Sequence, residues 1–131
     1  MTISPEYREF VAELLAPLGP VGIRSMFGGA GVYYGGVMFG LIADETLYFK
    51  VDDDNRGDFE HAGKGPFTYE GKNGRRMVMA YYEVPEELFD EAEELRRWAR
   101  KAVDAALRAD KAKPPARRRA GGESPRGSRR R

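Results

Sequence analysis

The chain has 131 residues and a mass of 14.7 kDa, room for one domain of ordinary size and too little for two. Hydrophobic side chains make up 41%, charged ones 33%, and the formal net charge is +1; with no cysteine, disulfides, thiolate metal sites, cysteine nucleophiles and CxxC redox motifs are excluded. The single histidine, His61, excludes multi-histidine zinc sites, and no apolar run approaches the roughly 20 residues that span a bilayer.

Met1 to Glu6 carries no basic segment followed by an apolar stretch, so no secretory signal is expected there. Ser4 followed by Pro5 is a helix start, as N-cap and first helical residue. Tyr7, Phe10, Val11, Leu14, Leu15 and Leu18 then recur at spacings of three and four, an amphipathic helix with Glu6, Glu9 and Glu13 on its wet face. Pro17 and Gly19–Pro20 end it.

From Ile23 to Val51 the period changes. Gly35–Gly36 separates Gly31–Tyr34 from Val37–Phe39, a two-residue hairpin signal, and Asp44–Glu45 separates Leu41–Ala43 from Leu47–Val51. Three or four antiparallel strands, close to a meander, are expected. Asp52, Asp53 and Asp54 open a short helix to Ala62 with Gly63 as its stop. Phe67 to Glu70 and Arg76 to Glu83 form a second hairpin around Gly71–Lys72–Asn73–Gly74. Both faces of Met77 to Tyr82 are largely apolar, which predicts a central strand. Pro85–Glu86–Glu87 begins a helical turn. Asp90 with Glu93 is a capping-box pattern for a last helix, with Leu95, Trp98, Ala99, Ala102, Val103 and Ala106 as its apolar stripe and Arg108 near its end. Pairs Glu93–Arg97 and Arg100–Asp104 fit its outer side.

The order α-β(3-4)-α-β(2)-α predicts an α+β, two-layer fold, an antiparallel sheet with helices packed on one face. Phe10, Leu14, Phe39, Tyr48, Val78, Leu95 and Trp98 are the expected core. The folded domain spans 1–108 and a basic tail spans 109–131. From Asp110 onward there are nine Lys or Arg and two acids, net +7, against −6 for the rest. The tail's only apolar residues are alanines among Pro, Gly and Ser, so it is expected to be disordered. Arg117, Arg118, Arg119, Arg126, Arg129, Arg130 and Arg131 would hold phosphates in a salt-sensitive, sequence-blind way; a solubilising tail folded back on the acidic body is the equal alternative. No aromatic side chain is present in it to stack on a base.

Catalytic patterns are scarce. Gly28–Gly29–Ala30–Gly31 lacks the lysine and hydroxyl of a P-loop and leads into a strand, not a helix, which favours a glycine turn. Asp52–Asp53–Asp54 lacks the alternate spacing of a calcium loop and suits a helix N-terminus. His61 and Ser25 have no partner constellation. Arg24, Arg75 and Arg76 with the tyrosines offer a base-stacking reading, which the acidic body opposes.

Arg24 to Asp52, RSMFGGAGVYYGGVMFGLIADETLYFKVD, resembles the N-terminal domain of the TfoX/Sxy family of competence regulators. PFTYEGKNGRRMVMAYYEVPEE (66–87) resembles its second half and LRRWARKAVDAALR (95–108) its last helix. The resemblance covers residues 5–108 and implies a two-layer α+β domain like the secretion chaperones. Longer family members work with the cyclic-AMP receptor protein at promoters of DNA-uptake genes, and the chain is expected to lack their second domain. No catalytic set belongs to this domain; the family signature is Arg24, Met26, Phe27, Gly28, Gly29 and Gly31. The expected function is therefore a non-enzymatic, cytoplasmic regulatory module with no metal or other cofactor. It would bind a protein partner such as a transcription factor and touch nucleic acid nonspecifically through the tail, without a membrane role. Two alternatives stay open: a nucleic-acid-binding accessory protein, and a small chaperone-like or dimeric structural protein, that is, a homodimer.

Overall fold

The computed structural model describes residues 4–26 and 28–112. Helix α1 (Pro5–Leu15) starts where Ser4 caps it: the Ser4 hydroxyl accepts the Tyr7 N–H at 3.1 Å. The Ser4 N–H and hydroxyl both donate to the Glu45 carboxylate, at 2.7 and 3.1 Å, tying the helix start to a distant turn. A 3₁₀ turn (Ala16–Leu18) follows. Four strands then run as a meander: β1 (Val21–Met26), β2 (Gly29–Tyr34), β3 (Val37–Ala43) and β4 (Thr46–Lys50). Gly35 and Gly36 turn at φ +58° and +83°, the left-handed pair that a tight hairpin requires.

After α2 (Arg56–His61), strands β5 (Pro66–Glu70) and β6 (Arg76–Glu83) close the sheet. The order is β1-β2-β3-β4-β6-β5, every neighbour antiparallel. A 3₁₀ turn (Glu86–Asp90) leads into α3 (Ala92–Ala112). The fold is thus α+β with a helix, four strands, a helix, two strands and a long helix, and the helices lie on one face of an open six-stranded sheet.

The core lies between that face and the helices. Val32, Phe39, Ile42, Leu47 and Phe49 from the sheet meet Val11 and Leu15 of α1, Phe59 of α2, and Leu95, Ala99, Ala102, Val103 and Ala106 of α3. Phe39 reaches this layer through a bulge. Val32 pairs with Gly40 and Tyr33 with Met38, so Phe39 is an extra residue turned into the core.

Several expectations need correction. Phe10 is 41% exposed, because it stands at the margin of α1 and packs on Phe89 at 5.6 Å instead of under the sheet. Val78 is 64% exposed: β6 does lie between β4 and β5, but β4 pairs only with Tyr81–Glu83, so the hairpin's far half has no third strand. Tyr48 is only partly buried and faces away from the helices. Leu14 and Trp98 are also only partly buried but pack against the core. Helix α2 begins after Asn55, not at the aspartates, and α3 begins at Ala92, with Asp90 left in the preceding turn. α3 continues past Arg108 to Ala112. On it Arg97 pairs with Glu94 at 3.6 Å, and Arg100 lies 5.5 Å over the Tyr34 ring.

Candidate functional site

Strand alternation decides which signature residues can meet a partner. Arg24 and Met26 share one face of β1, Gly31 stands on the same face of β2, and that face points away from the helices. Tyr33, Met38 and Met26 lean over Gly31 so closely that a Cβ there would lie about 3 Å from each of them. Gly29 is needed for a different reason: a Cβ would strike the Ile42 carbonyl of β3. The segment is therefore part turn and part surface. Phe27 lies outside the described residues.

The outward sheet face is aromatic, sulfur-rich and almost free of acids. One row crosses five strands: Arg24 pairs with Gly31, Gly31 with Leu41, Leu41 with Tyr48, and Tyr48 with Glu83. Beside it, the Arg24 guanidinium sits 4.6 Å over the Tyr33 ring and the Lys50 ammonium 5.2 Å over the Tyr81 ring. Tyr48 meets Phe67 edge-on at 5.1 Å, and Phe67 stacks with Tyr69 at 6.1 Å, next to Met77. Leu41 and Tyr81 are buried yet stand outside the core cluster; their cover is their neighbours on this face. Burial pushes the Tyr81 phenol up to about 12, with Tyr33 adding to it. Burial, then the charges of Glu83 and Asp44, raise that of Tyr48. Both phenols stay neutral at physiological pH, and the Tyr81 hydroxyl donates to the Met38 carbonyl at 3.4 Å.

Other sequence-named residues are dispersed. His61 is exposed at the last turn of α2. The exposed Ser25 hydroxyl accepts from the Arg8 guanidinium at 3.0 Å, which also donates to the Ile23 carbonyl at 2.6 Å. Arg75 lines an open hollow at the tip of the β5–β6 hairpin with Tyr69, Lys72 and Met77, while Arg24 stands on the opposite edge strand. The arginines proposed for base contact therefore do not converge. The aspartate run serves structure: Arg108 of α3 donates to Asp52 at 2.8 and 3.2 Å and lies 3.7 Å from Asp54, while Arg56 holds Asp53 at 2.6 Å. The Arg108 hydrogen bond keeps the Asp52 carboxyl below the usual carboxylate range. Among the described residues no group of three or more His, Asp or Glu is placed to hold a metal ion, and no helix is long and apolar enough to cross a membrane. The tail arginines, Arg117 to Arg119, Arg126 and Arg129 to Arg131, lie outside the described residues. Lys50 and Glu83 are not singled out by the sequence as candidates, and Tyr48 enters there only among the base-stacking tyrosines and as expected core. The alternation of Thr46 to Lys50 puts Tyr48 and Lys50 on one face, but only the strand register places them and Glu83 on the face of Arg24.

Residues 13–106 match the family model of the TfoX N-terminal domain. The chain belongs to the TfoX/Sxy family. Protein Sxy of Escherichia coli (strain K12) is 31% identical to it over 99 residues, covering 73% of this chain and 46% of Sxy. The chain thus spans about half the length of that curated relative. The matched region holds the whole sheet, α2 and most of α3, so the outward row from Arg24 to Glu83 lies wholly within the family domain.

Proposed function

We propose that this TfoX/Sxy domain is a non-enzymatic regulatory module of the cytoplasm. In this reading the folded body binds a protein partner of the transcription machinery, and the tail adds nonspecific affinity for nucleic acid. The family match over residues 13–106 carries the reading. Two features support it. Several charged groups of the body are engaged in structural pairs, Asp52–Arg108 and Lys101–Asp58 among them. Along the sequence, the positive charge that would hold phosphates is concentrated beyond Asp110, and the rest of the chain is net acidic.

The test has two arms. In the first, binding of a short DNA duplex is followed against salt for the full chain and for a triple variant, Arg117→Gln, Arg118→Gln and Arg119→Gln. If the three arginines each hold a phosphate, the slope of log K against log salt becomes shallower by about 2–3. An unchanged slope removes the tail from the reading. In the second arm the full chain is crosslinked in cells and recovered. Enrichment of a transcription regulator supports the module, and recovery of none overturns it.

A further inference from the structure

The outward sheet face has the composition of a protein–protein interface. Tyrosine, phenylalanine and methionine dominate it, Arg24 stands at one end, and Glu83 is the one acidic side chain on the register row. Nucleic acid is disfavoured: beside the row the cations are Arg24 and Lys50, both set over tyrosine rings, while Lys72 and Arg75 stand apart at the hairpin tip. The sheet edges are poor alternatives. Arg8 occupies the outward Ile23 carbonyl of β1, and β5 is short and begins with Pro66.

We infer that this face binds a second copy of the chain, sheet against sheet, about a two-fold axis that runs parallel to the strands over Leu41. The charge order of the central row points to this occupant. Arg24 stands at one end, Glu83 at the other, and Leu41 midway. Such an axis carries the row of one copy onto the reversed row of the other. Arg24 of each copy then faces Glu83 of the second, the Leu41 positions meet at the axis beneath the neighbours that cover them, and Tyr48 faces Gly31. The Met26 and Met38 thioethers over Gly31 are flexible enough to seat that ring.

Dimensions agree with this geometry. Strand spacing and rise give a face of about 30 by 20 Å, so two copies cover about 1,200 Å² in all, the lower end of stable interfaces. Aligned sheets cross at about 30°, so the axis is tilted by about half that angle from the strands and the row ends are displaced by about 5 Å, within the reach of an arginine side chain. Within the chain, Arg24 lies over the Tyr33 ring and forms no ion pair among the described residues, and Glu83 contacts Lys64 at 3.9 Å.

The test is sedimentation velocity on the full chain, Arg24→Glu, Glu83→Arg, and an equimolar mixture of the two variants. Both positions are solvent-facing, and thermal melts confirm that each variant folds. The full chain is expected to form a micromolar dimer. Each variant alone places like charges together at two points and weakens the dimer by about tenfold or more. The mixture places opposite charges at both points, so a heterodimer of near-parental affinity returns. The double variant Arg24→Glu/Glu83→Arg restores the dimer in the same way and keeps the test decisive if either single variant fails to fold. A full chain that stays monomeric at about 100 μM, where a micromolar dimer would be nearly complete, overturns the proposal. So does a dimer that the single variants leave unchanged, or one that neither the mixture nor the double variant restores.

Discussion

Asn55 shows how a single side chain can set a boundary. It is 1% exposed, its carbonyl oxygen accepts the Asp52 N–H at 2.9 Å, and its amide donates to the Lys50 carbonyl at 3.0 Å. The strand β4 ends and α2 begins around this one amide, because it satisfies backbone groups that neither element can. An aspartate could accept in the same way but could not donate to Lys50. Asn55→Ala leaves one backbone donor and one acceptor without their partner in a nearly dry place. The expected cost is about 2–4 kcal/mol, from the penalty for unmet buried groups. Urea unfolding should show it as a lower midpoint at an unchanged slope. A midpoint close to the parent's would mean that water replaces the amide and that the boundary is held by other contacts.

At the level of elements, α3 is clasped to the β4–α2 connection by Arg108 on Asp52, and the clasp responds to pH. The Asp52 carboxyl is held below its unfolded value, so its contribution is present above the usual aspartate pKa of about 3.9 and is lost as pH falls through the lower, folded value. Side-chain exposures of 49% for Arg108 and 30% for Asp52 limit the effect to about 1 kcal/mol or less. Asp52→Asn should therefore be less stable than the parent by that amount at pH 7. The difference should close as the solution is acidified through the lowered range in which the folded Asp52 takes up its proton. A gap of constant size across that range would assign the cost to altered hydrogen-bond geometry and not to charge. The same elements show what can be read without coordinates. The meander was legible because its turns carry Gly35–Gly36 and Asp44–Glu45 between period-two runs, and α1 because Ser4–Pro5 precedes a helical stripe. The start of α2 was misplaced because three aspartates mimic a helix N-terminus while Asn55 makes the bonds. Val78 was misassigned because an apolar strand reads as buried whether or not a third strand reaches it. The outward row was out of reach for a different reason. It depends on four successive pairings that bring Arg24 and Glu83, far apart in sequence, onto one face.

At the scale of the whole molecule, support is uneven across the sheet. Ile42, Leu47 and Phe49 lie between strands on both sides and beneath α3, and are fully or almost fully buried. The β5–β6 hairpin joins the rest through Tyr81–Glu83 of β6, and its far half exposes Tyr69, Met77 and Val78. A two-stranded hairpin without a third strand is marginal in water. The far half should therefore open without unfolding the domain. Hydrogen exchange followed by NMR would show this. Amides paired between 68–70 and 76–78 should exchange through openings that cost only a few kcal/mol and depend little on denaturant. Those of Ile42, Leu47 and Phe49 should wait for global unfolding, about 5–15 kcal/mol for a domain. If hairpin and central amides instead show the same opening energy and the same denaturant dependence, the molecule unfolds as one unit. The contacts of Phe67 with Tyr48 and Tyr69 would then couple the hairpin to β4 more tightly than three paired residues suggest.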